Sequence, residues 1–99
     1  MSDYRNESTE RLFRAICEIS DPEECRKFLE DLCTIKEIQD MAQRFDTAIL
    51  LSKGYSYQKI AEKFSISTAT ISRVNRCLTY GEGGYKTAIE KLEKNDDNK

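Results

Sequence analysis

The feature that most constrains the fold is a pair of short apolar stripes in the segment YSYQKIAEKFSISTATISRVNRCL, residues 55–78. Both stripes have the three- and four-residue spacing that places side chains on one face of a helix. Their members are Ile60, Ala61, Phe64, Ile71, Val74 and Leu78. Ser56 and Ser67 precede the two stripes, and we expect their hydroxyl groups to cap two helices. The segment therefore predicts two short helices joined by a tight turn.

Two helices joined in this way form a helix-turn-helix unit, which many proteins use to enter the major groove of DNA. Ala61 is small where the helices would cross, and Ile66 would fill the turn. Ser65 stands where glycine is usual. A strand is the alternative for the second half, because it is rich in β-branched residues. A strand cannot satisfy the helical period that starts at Ile71, so we predict a helix over Ser67–Leu78.

The face opposite the apolar stripe of this second helix carries small and basic side chains. A helical projection of about 100° per residue places four residues there, Ala69, Ser72, Arg73 and Arg76, and Thr68 lies at the exposed amino end of the helix. Arginine can donate two hydrogen bonds to guanine, hydroxyl groups can reach phosphates or base edges, and small apolar groups can touch the methyl group of thymine. A helix that served only for packing would more often expose Glu, Lys and Gln. The pattern favours DNA binding over a bihelical packing unit.

Charge is distributed unevenly along the chain, whose net charge is −2. Between residues 53 and 78, five basic residues and one acidic residue give +4, which leaves −6 for the remainder. The basic residues are Lys53, Lys59, Lys63, Arg73 and Arg76. We expect the three lysines to bind phosphate groups and set the register of the protein on DNA. An ordinary solvated helical surface is the alternative.

The rest of the chain also has helical patterns and helix-start signals. Asp21 can cap a helix that begins at Pro22, Thr34 and Glu37 form a capping-box pattern, and Gly54 is suited to end a helix. The sequence predicts an all-α fold of about six helices in a single domain, 1–99. Its predicted parts are the dimerisation helices at 8–53, the helix-turn-helix at 56–78, a C-terminal helix at 85–93, and loose tails at 1–7 and 94–99.

Length and composition exclude several classes of protein. The chain has 99 residues, near the lower end of what buries a self-sufficient core, so a partner chain could supply apolar surface. No apolar run approaches the roughly 20 residues of a membrane span, and no signal segment opens the chain. We expect a cytoplasmic protein with no membrane partner.

Metal-binding and enzymatic functions are not expected. The chain has no histidine, and its four cysteines form no C-x-x-C pair, so they lack the spacing of a zinc site. We expect buried structural thiols at Cys17, Cys25, Cys33 and Cys77. No serine has a neighbouring base, and no paired carboxylates share a helical face that could serve a catalytic pocket.

With these motifs in hand, the chain resembles the tryptophan-repressor family, and most of all its branch in Gram-positive bacteria. The resemblance runs from about Thr34 to Leu78, and its most specific pieces are AILLSKGYS and TATISR. It implies six helices in an intertwined homodimer that binds double-stranded DNA as a transcriptional regulator, with the recognition helix at Ser67–Leu78. The positions that match the DNA-facing residues of the family are Thr68, Ala69, Thr70 and Ser72.

The resemblance also implies a pocket for an aromatic co-repressor. Arg44 and Arg73 match the two arginines that sandwich an indole ring, an arrangement favoured by stacking and cation–π attraction. Thr34 matches a residue that closes the pocket. Val74 stands in place of a glycine, and Cys77 in place of a serine. The hypothesis is a small aromatic or amino-acid effector, and we expect it not to be tryptophan because the Val74 isopropyl group would occupy part of the pocket.

Plainer alternatives remain for these residues and for the whole chain. Arg44 could pair with Glu37 or Asp40, and Arg73 could face a DNA phosphate. The protein could instead be a helical dimer that serves as an adaptor for transcription machinery without an operator of its own, an interpretation that the acidic remainder of the chain favours.

Overall fold

Capping side chains fix where the helices begin. Asn6 caps the first helix, because its side chain accepts a hydrogen bond from the Thr9 amide at 3.0 Å while the Thr9 hydroxyl accepts one from the Asn6 amide at 2.9 Å. Asp21 caps the second helix in front of Pro22, as predicted. The predicted capping box is also present, with the Glu37 carboxylate accepting from the Thr34 amide at 2.8 Å and the Thr34 hydroxyl accepting from the Glu37 amide at 3.0 Å.

The computed structural model of the chain describes residues 4–97, so the outer ends of the two predicted tails, 1–3 and 98–99, lie outside the described residues. Within that range the secondary structure is helical, without a strand, which confirms the predicted all-α fold with six helices. The helices are α1 (Glu7–Glu18), α2 (Pro22–Leu32), α3 (Ile35–Ser52), α4 (Tyr57–Phe64), α5 (Thr68–Tyr80) and α6 (Gly84–Asp97). Over the described residues, no helix is long and apolar enough to cross a membrane.

The last helix is longer than the predicted range 85–93. It begins at Gly84 and continues to Asp97, because the residues after Glu93 include neither proline nor glycine and Lys94 continues a run of good helix formers.

The chain divides into two compact units, one ending at Ile38 and the other beginning at Gln39. In the first unit, neither α1 nor α2 buries a single residue. On α2, Arg26 bonds Glu23 and Glu30, and its hydrogen bond lowers the pKa of the Glu23 carboxyl group. Ion pairs of this kind lie on the surface, so they support α2 without giving it a core.

The second unit contains the buried core. Its fully or nearly buried apolar residues are Ala48, Ile60, Ile71, Val74 and Ile89, which come from four helices. Phe45 and Tyr85 pack against this core and stack on each other, with ring centroids 6.5 Å apart. The hydroxyl group of Thr47 is also buried and donates to the Gln43 carbonyl at 2.8 Å. The core therefore holds α5 and α6 against α3.

The helix-turn-helix prediction is confirmed. Ser56 accepts a hydrogen bond from the Lys59 amide, and Ser67 accepts one from the Thr70 amide, each at 3.2 Å. Ser65 lies between the two helices in the left-handed conformation, with φ 55° and ψ 45°. The backbone therefore adopts at serine the turn that usually takes glycine.

The thiols differ from the sequence expectation. Cys17 and Cys77 are exposed, and Cys25 and Cys33 are partly buried. The prediction of buried structural cysteines is therefore wrong for Cys17 and Cys77 in the single chain, because α1 has no packed face there and because Cys77 lies beside the outward face of α5.

Candidate nucleic-acid interface

The outward face of α5 is positioned by the residues that it buries. Ile71 is fully buried and Val74 is 2% exposed, so the opposite side of the helix must face away from the core. The residues on that opposite side are Ala69, Ser72, Arg73 and Arg76, and all four are exposed, as is Thr68 at the start of the helix. The structure thus brings together on one face the four residues that the helical projection grouped, with Thr68 at the amino end of the same helix.

Thr70 lies in a different place from its neighbours. It is partly buried, and its hydroxyl oxygen lies 3.1 Å from the Ser67 hydroxyl at the start of α5. It also lines a cleft between α3 and α5. Thr70 is therefore placed to hold the first turn of α5, and its contact with DNA stays a prediction.

The three predicted lysines are exposed on or beside α4. Lys53 and Lys59 line a cavity of about 410 Å³, together with Tyr55 and the capping residue Ser56. Lys63 lies in the last turn of α4. Tyr55 is a residue that the charge pattern missed, although a tyrosine between lysines in KGYSYQK was a signal for it.

The predicted effector-pocket residues are only partly brought together. Arg44, Arg73 and Val74 line the cleft between α3 and α5, which has a volume of about 270 Å³. Cys77 is exposed and does not line this cleft. Thr34 belongs to the first unit, where it caps α3. Its place in an effector pocket stays a prediction.

The chemistry of the cleft is mixed in charge. Its remaining lining residues are Asp40, Gln43 and Thr70. The pairing of Arg44 with Glu37 or Asp40 stays a prediction. The guanidinium groups of Arg44 and Arg73 are both exposed, so they are able to bind an anionic group such as phosphate.

Gln43 is a second residue that the sequence did not single out. Its side-chain amide donates a hydrogen bond to the backbone carbonyl oxygen of Phe64, at the end of α4, over 3.3 Å. No local signal predicts this contact, because a glutamine beside an apolar stripe resembles any solvent-facing residue of a helix.

Comparison with known proteins decides the family. A family model described as Trp repressor protein matches residues 7–93 of the chain. The chain belongs to the Trp repressor family. The predicted resemblance is therefore confirmed, and it extends well beyond the segment that first suggested it.

Members of the family with similar sequences and structures support the assignment. The Bacillus subtilis protein YerC is 45% identical over 92 residues, covering 93% of this chain and 88% of YerC. The crystal structure of a TrpR-like protein from Eubacterium eligens has a TM-score of 0.85 and 47% identity, covering 90% of this chain and 92% of that one. The structure of a candidate Trp repressor from Staphylococcus aureus has a TM-score of 0.84 and 39% identity, covering 90% and 89%.

Family membership agrees with the geometry of α4 and α5. The Trp repressor family is a family of DNA-binding regulators, and its fold is a regulatory fold rather than an enzymatic one. The helix-turn-helix that presents the outward face of α5 is the part of this chain suited to that role.

Proposed function

We propose that this protein is a sequence-specific transcriptional regulator that binds double-stranded DNA as a homodimer and acts as a repressor. The observation that carries the proposal is the outward face of α5, which is exposed, small and basic on a helix anchored by Ile71 and Val74. A dimer bound to a palindromic site excludes other proteins from that site, which is the physical basis for repression.

Two kinds of contact would contribute to DNA binding. Arg73 and Arg76 have the donor geometry to bind guanine edges, while Ala69 offers a methyl group to thymine. Lys53, Lys59 and Lys63 would bind phosphate and release counterions from the DNA. The local charge of +4 over residues 53–78 supports this division, because the chain as a whole is acidic.

The proposal of a homodimer is supported by the exposed apolar surface of the first unit. Helices without a buried face are rarely stable on their own in water. Leu32 is 51% exposed and Ile35 is 60% exposed, and Phe13 and Ile16 are also exposed. A second copy of the chain is the partner that would cover this surface, and its recognition helix would then read the second half-site.

We further propose that tryptophan is not the effector of this protein. Val74 packs in the core with Ala48 and Ile89 while also lining the cleft, so its isopropyl group cannot move aside without opening the core. A small aromatic or amino-acid effector remains the proposal for this cleft, where Arg44 and Arg73 would contact it.

The decisive experiment is selection of genomic DNA fragments by the purified protein, followed by sequencing, with and without added tryptophan. We expect a palindromic site with half-sites about 34 Å apart, and the same site in both conditions. Affinity for that site should fall steeply between 50 and 200 mM salt, since about three to five neutralised phosphates per subunit would release counterions.

Two results would contradict this proposal. Binding that ignored salt would show that phosphate contacts do not contribute. A homodimer that retained no genomic fragment would favour the adaptor function, in which the acidic remainder of the chain contacts other proteins.

A further inference from the structure

The side chain of Gln43 links the long helix α3 to the turn of the helix-turn-helix. Its Nε2 atom donates to the carbonyl oxygen of Phe64, 21 residues away in the sequence, and the contact is partly buried. Gln43 is also one wall of the cleft that contains Arg73. Gln43 therefore contacts the helix-turn-helix without lying on the outward face of α5.

The carbonyl oxygen of Phe64 needs a hydrogen-bond donor from outside the helix-turn-helix. The last carbonyl groups of a helix have no intrahelical donor. In α4, the carbonyl of Ala61 accepts from the amides of both Ser65 and Ile66. Phe64 is the last residue of the helix, and the chain reverses directly after it at Ser65. The Gln43 amide supplies the donor that the local backbone does not.

The other end of this link lies on α3 beside buried residues. The backbone carbonyl of Gln43 accepts a hydrogen bond from the hydroxyl group of Thr47, which is fully buried. One turn further along α3, Ala48 packs against Val74 of α5. The turn is thus held to α3 by a polar contact on one side, and α5 is held by an apolar contact on the other.

We propose that Gln43 is a positioning residue that fixes the turn of the helix-turn-helix on α3 and thereby sets the direction in which α5 presents its outward face. The inference rests on the proposed DNA-binding function and adds to it a residue that does not touch DNA. A misdirected recognition helix loses base contacts, which depend on geometry, more than it loses attraction to phosphate, which tolerates movement.

The test uses the full-length protein with the substitutions Gln43→Met and Gln43→Glu. Both variants keep the length of the side chain and remove the donor. Gln39→Glu is the matched control, because Gln39 is an exposed glutamine one turn earlier on α3. The DNA probes are the duplex that the wild-type protein selects and the same duplex with both half-sites scrambled.

We expect Gln43→Met to weaken binding of the selected duplex by about 5- to 10-fold per half-site while leaving affinity for the scrambled duplex within about twofold of wild type. Gln43→Glu should reduce the ratio of the two affinities as Gln43→Met does, whereas Gln39→Glu should lower both affinities by the same factor. If the ratio of the two affinities is unchanged in Gln43→Met, through no loss or through an equal loss on both duplexes, the inference is overturned.

Hydrogen exchange provides a readout that requires no DNA. The amide of Ile66, in the turn, should exchange faster in Gln43→Met than in the wild type or in Gln39→Glu, while the amides in the middle of α3 keep their protection. Unchanged exchange at Ile66 would overturn the role of Gln43 without affecting the proposed function. A wild-type protein that selected no DNA would overturn the proposed function, and the exchange data would still decide whether Gln43 fixes the turn.

Discussion

The exposed basic side chains of α4 and α5 are of two kinds, those suited to read bases and those suited to bind phosphate. Arg73 and Arg76 project from the middle of α5, whereas Lys63 lies at the end of α4. A guanidinium group can form two fixed hydrogen bonds with guanine, but an ammonium group acts as a point charge. The two kinds of residue should therefore respond differently to substitution.

Replacement of Arg73 by alanine should reduce discrimination between the selected duplex and single-base variants by about 1–3 kcal/mol at one position. Replacement of Lys63 by alanine should weaken binding to all duplexes alike and reduce the slope of log K against log salt by about 0.9 for each subunit of the bound dimer. Fluorescence anisotropy titrations at several salt concentrations measure both effects. Lys91→Ala, an exposed lysine on α6, is the control and should change neither quantity. A sequence-dependent effect of Lys63→Ala would contradict the division.

Val74 belongs both to the buried core and to the cleft in which an effector is proposed. Truncation to alanine removes two buried methyl groups from contact with Ala48 and Ile89, so Val74→Ala should lower the free energy of unfolding by about 1–3 kcal/mol. Urea titration measures this loss.

Calorimetry of the wild-type protein with 1 mM tryptophan should give no binding heat, and a saturable heat would show that the isopropyl group does not block the ring.

Among the structural elements, the turn between α4 and α5 has a backbone conformation that costs free energy. Ser65 has a positive φ of 55°, a conformation that costs an L-residue roughly 1–2 kcal/mol relative to glycine. Glycine recovers part of this cost but loses more entropy on folding. The turn is therefore tolerated because its caps and the Gln43 contact hold it, not because serine favours it.

Ser65→Gly should stabilise the protein by up to about 1 kcal/mol, whereas the β-branched substitution Ser65→Val should destabilise it by about 1–2 kcal/mol. Thermal and urea unfolding measure the two changes. Ser72→Gly serves as the comparison within regular helix, where glycine should destabilise by about 0.5–1 kcal/mol. If glycine destabilised both sites equally, Ser65 would not be in the left-handed conformation in solution.

For the whole molecule, the two units differ in how much surface they bury, and this contrast supports the proposed homodimer. The second unit has a buried core that spans four helices, but α1 and α2 of the first unit bury no residue. An uncovered surface of this kind on a small chain is typical of a subunit rather than of a monomer.

Sedimentation equilibrium should give a mass twice the 11.5 kDa of the chain. Ile16→Glu places a charge on the exposed apolar face of α1 and should raise the dimer dissociation constant by at least about 100-fold, because an unpaired carboxylate would be buried in the interface. Tyr80→Glu, at a residue of the second unit that is 84% exposed, should leave the dimer intact. A stable, folded monomer of the wild-type protein would contradict the proposed assembly.

The sequence by itself determined the features that depend on neighbours three or four residues apart. The capping residues Ser56 and Ser67 and the stripe of Ile71 and Val74 are local patterns, and from them followed six helices, the helix-turn-helix and the outward face of α5. The tertiary structure alone decided the contact of Gln43 with Phe64, the place of Thr70 in the cleft and the exposure of Cys17. These features depend on how helices that are distant in the sequence pack together. The packing energy arises between residues whose proximity cannot be predicted from the helical spacing of neighbouring residues.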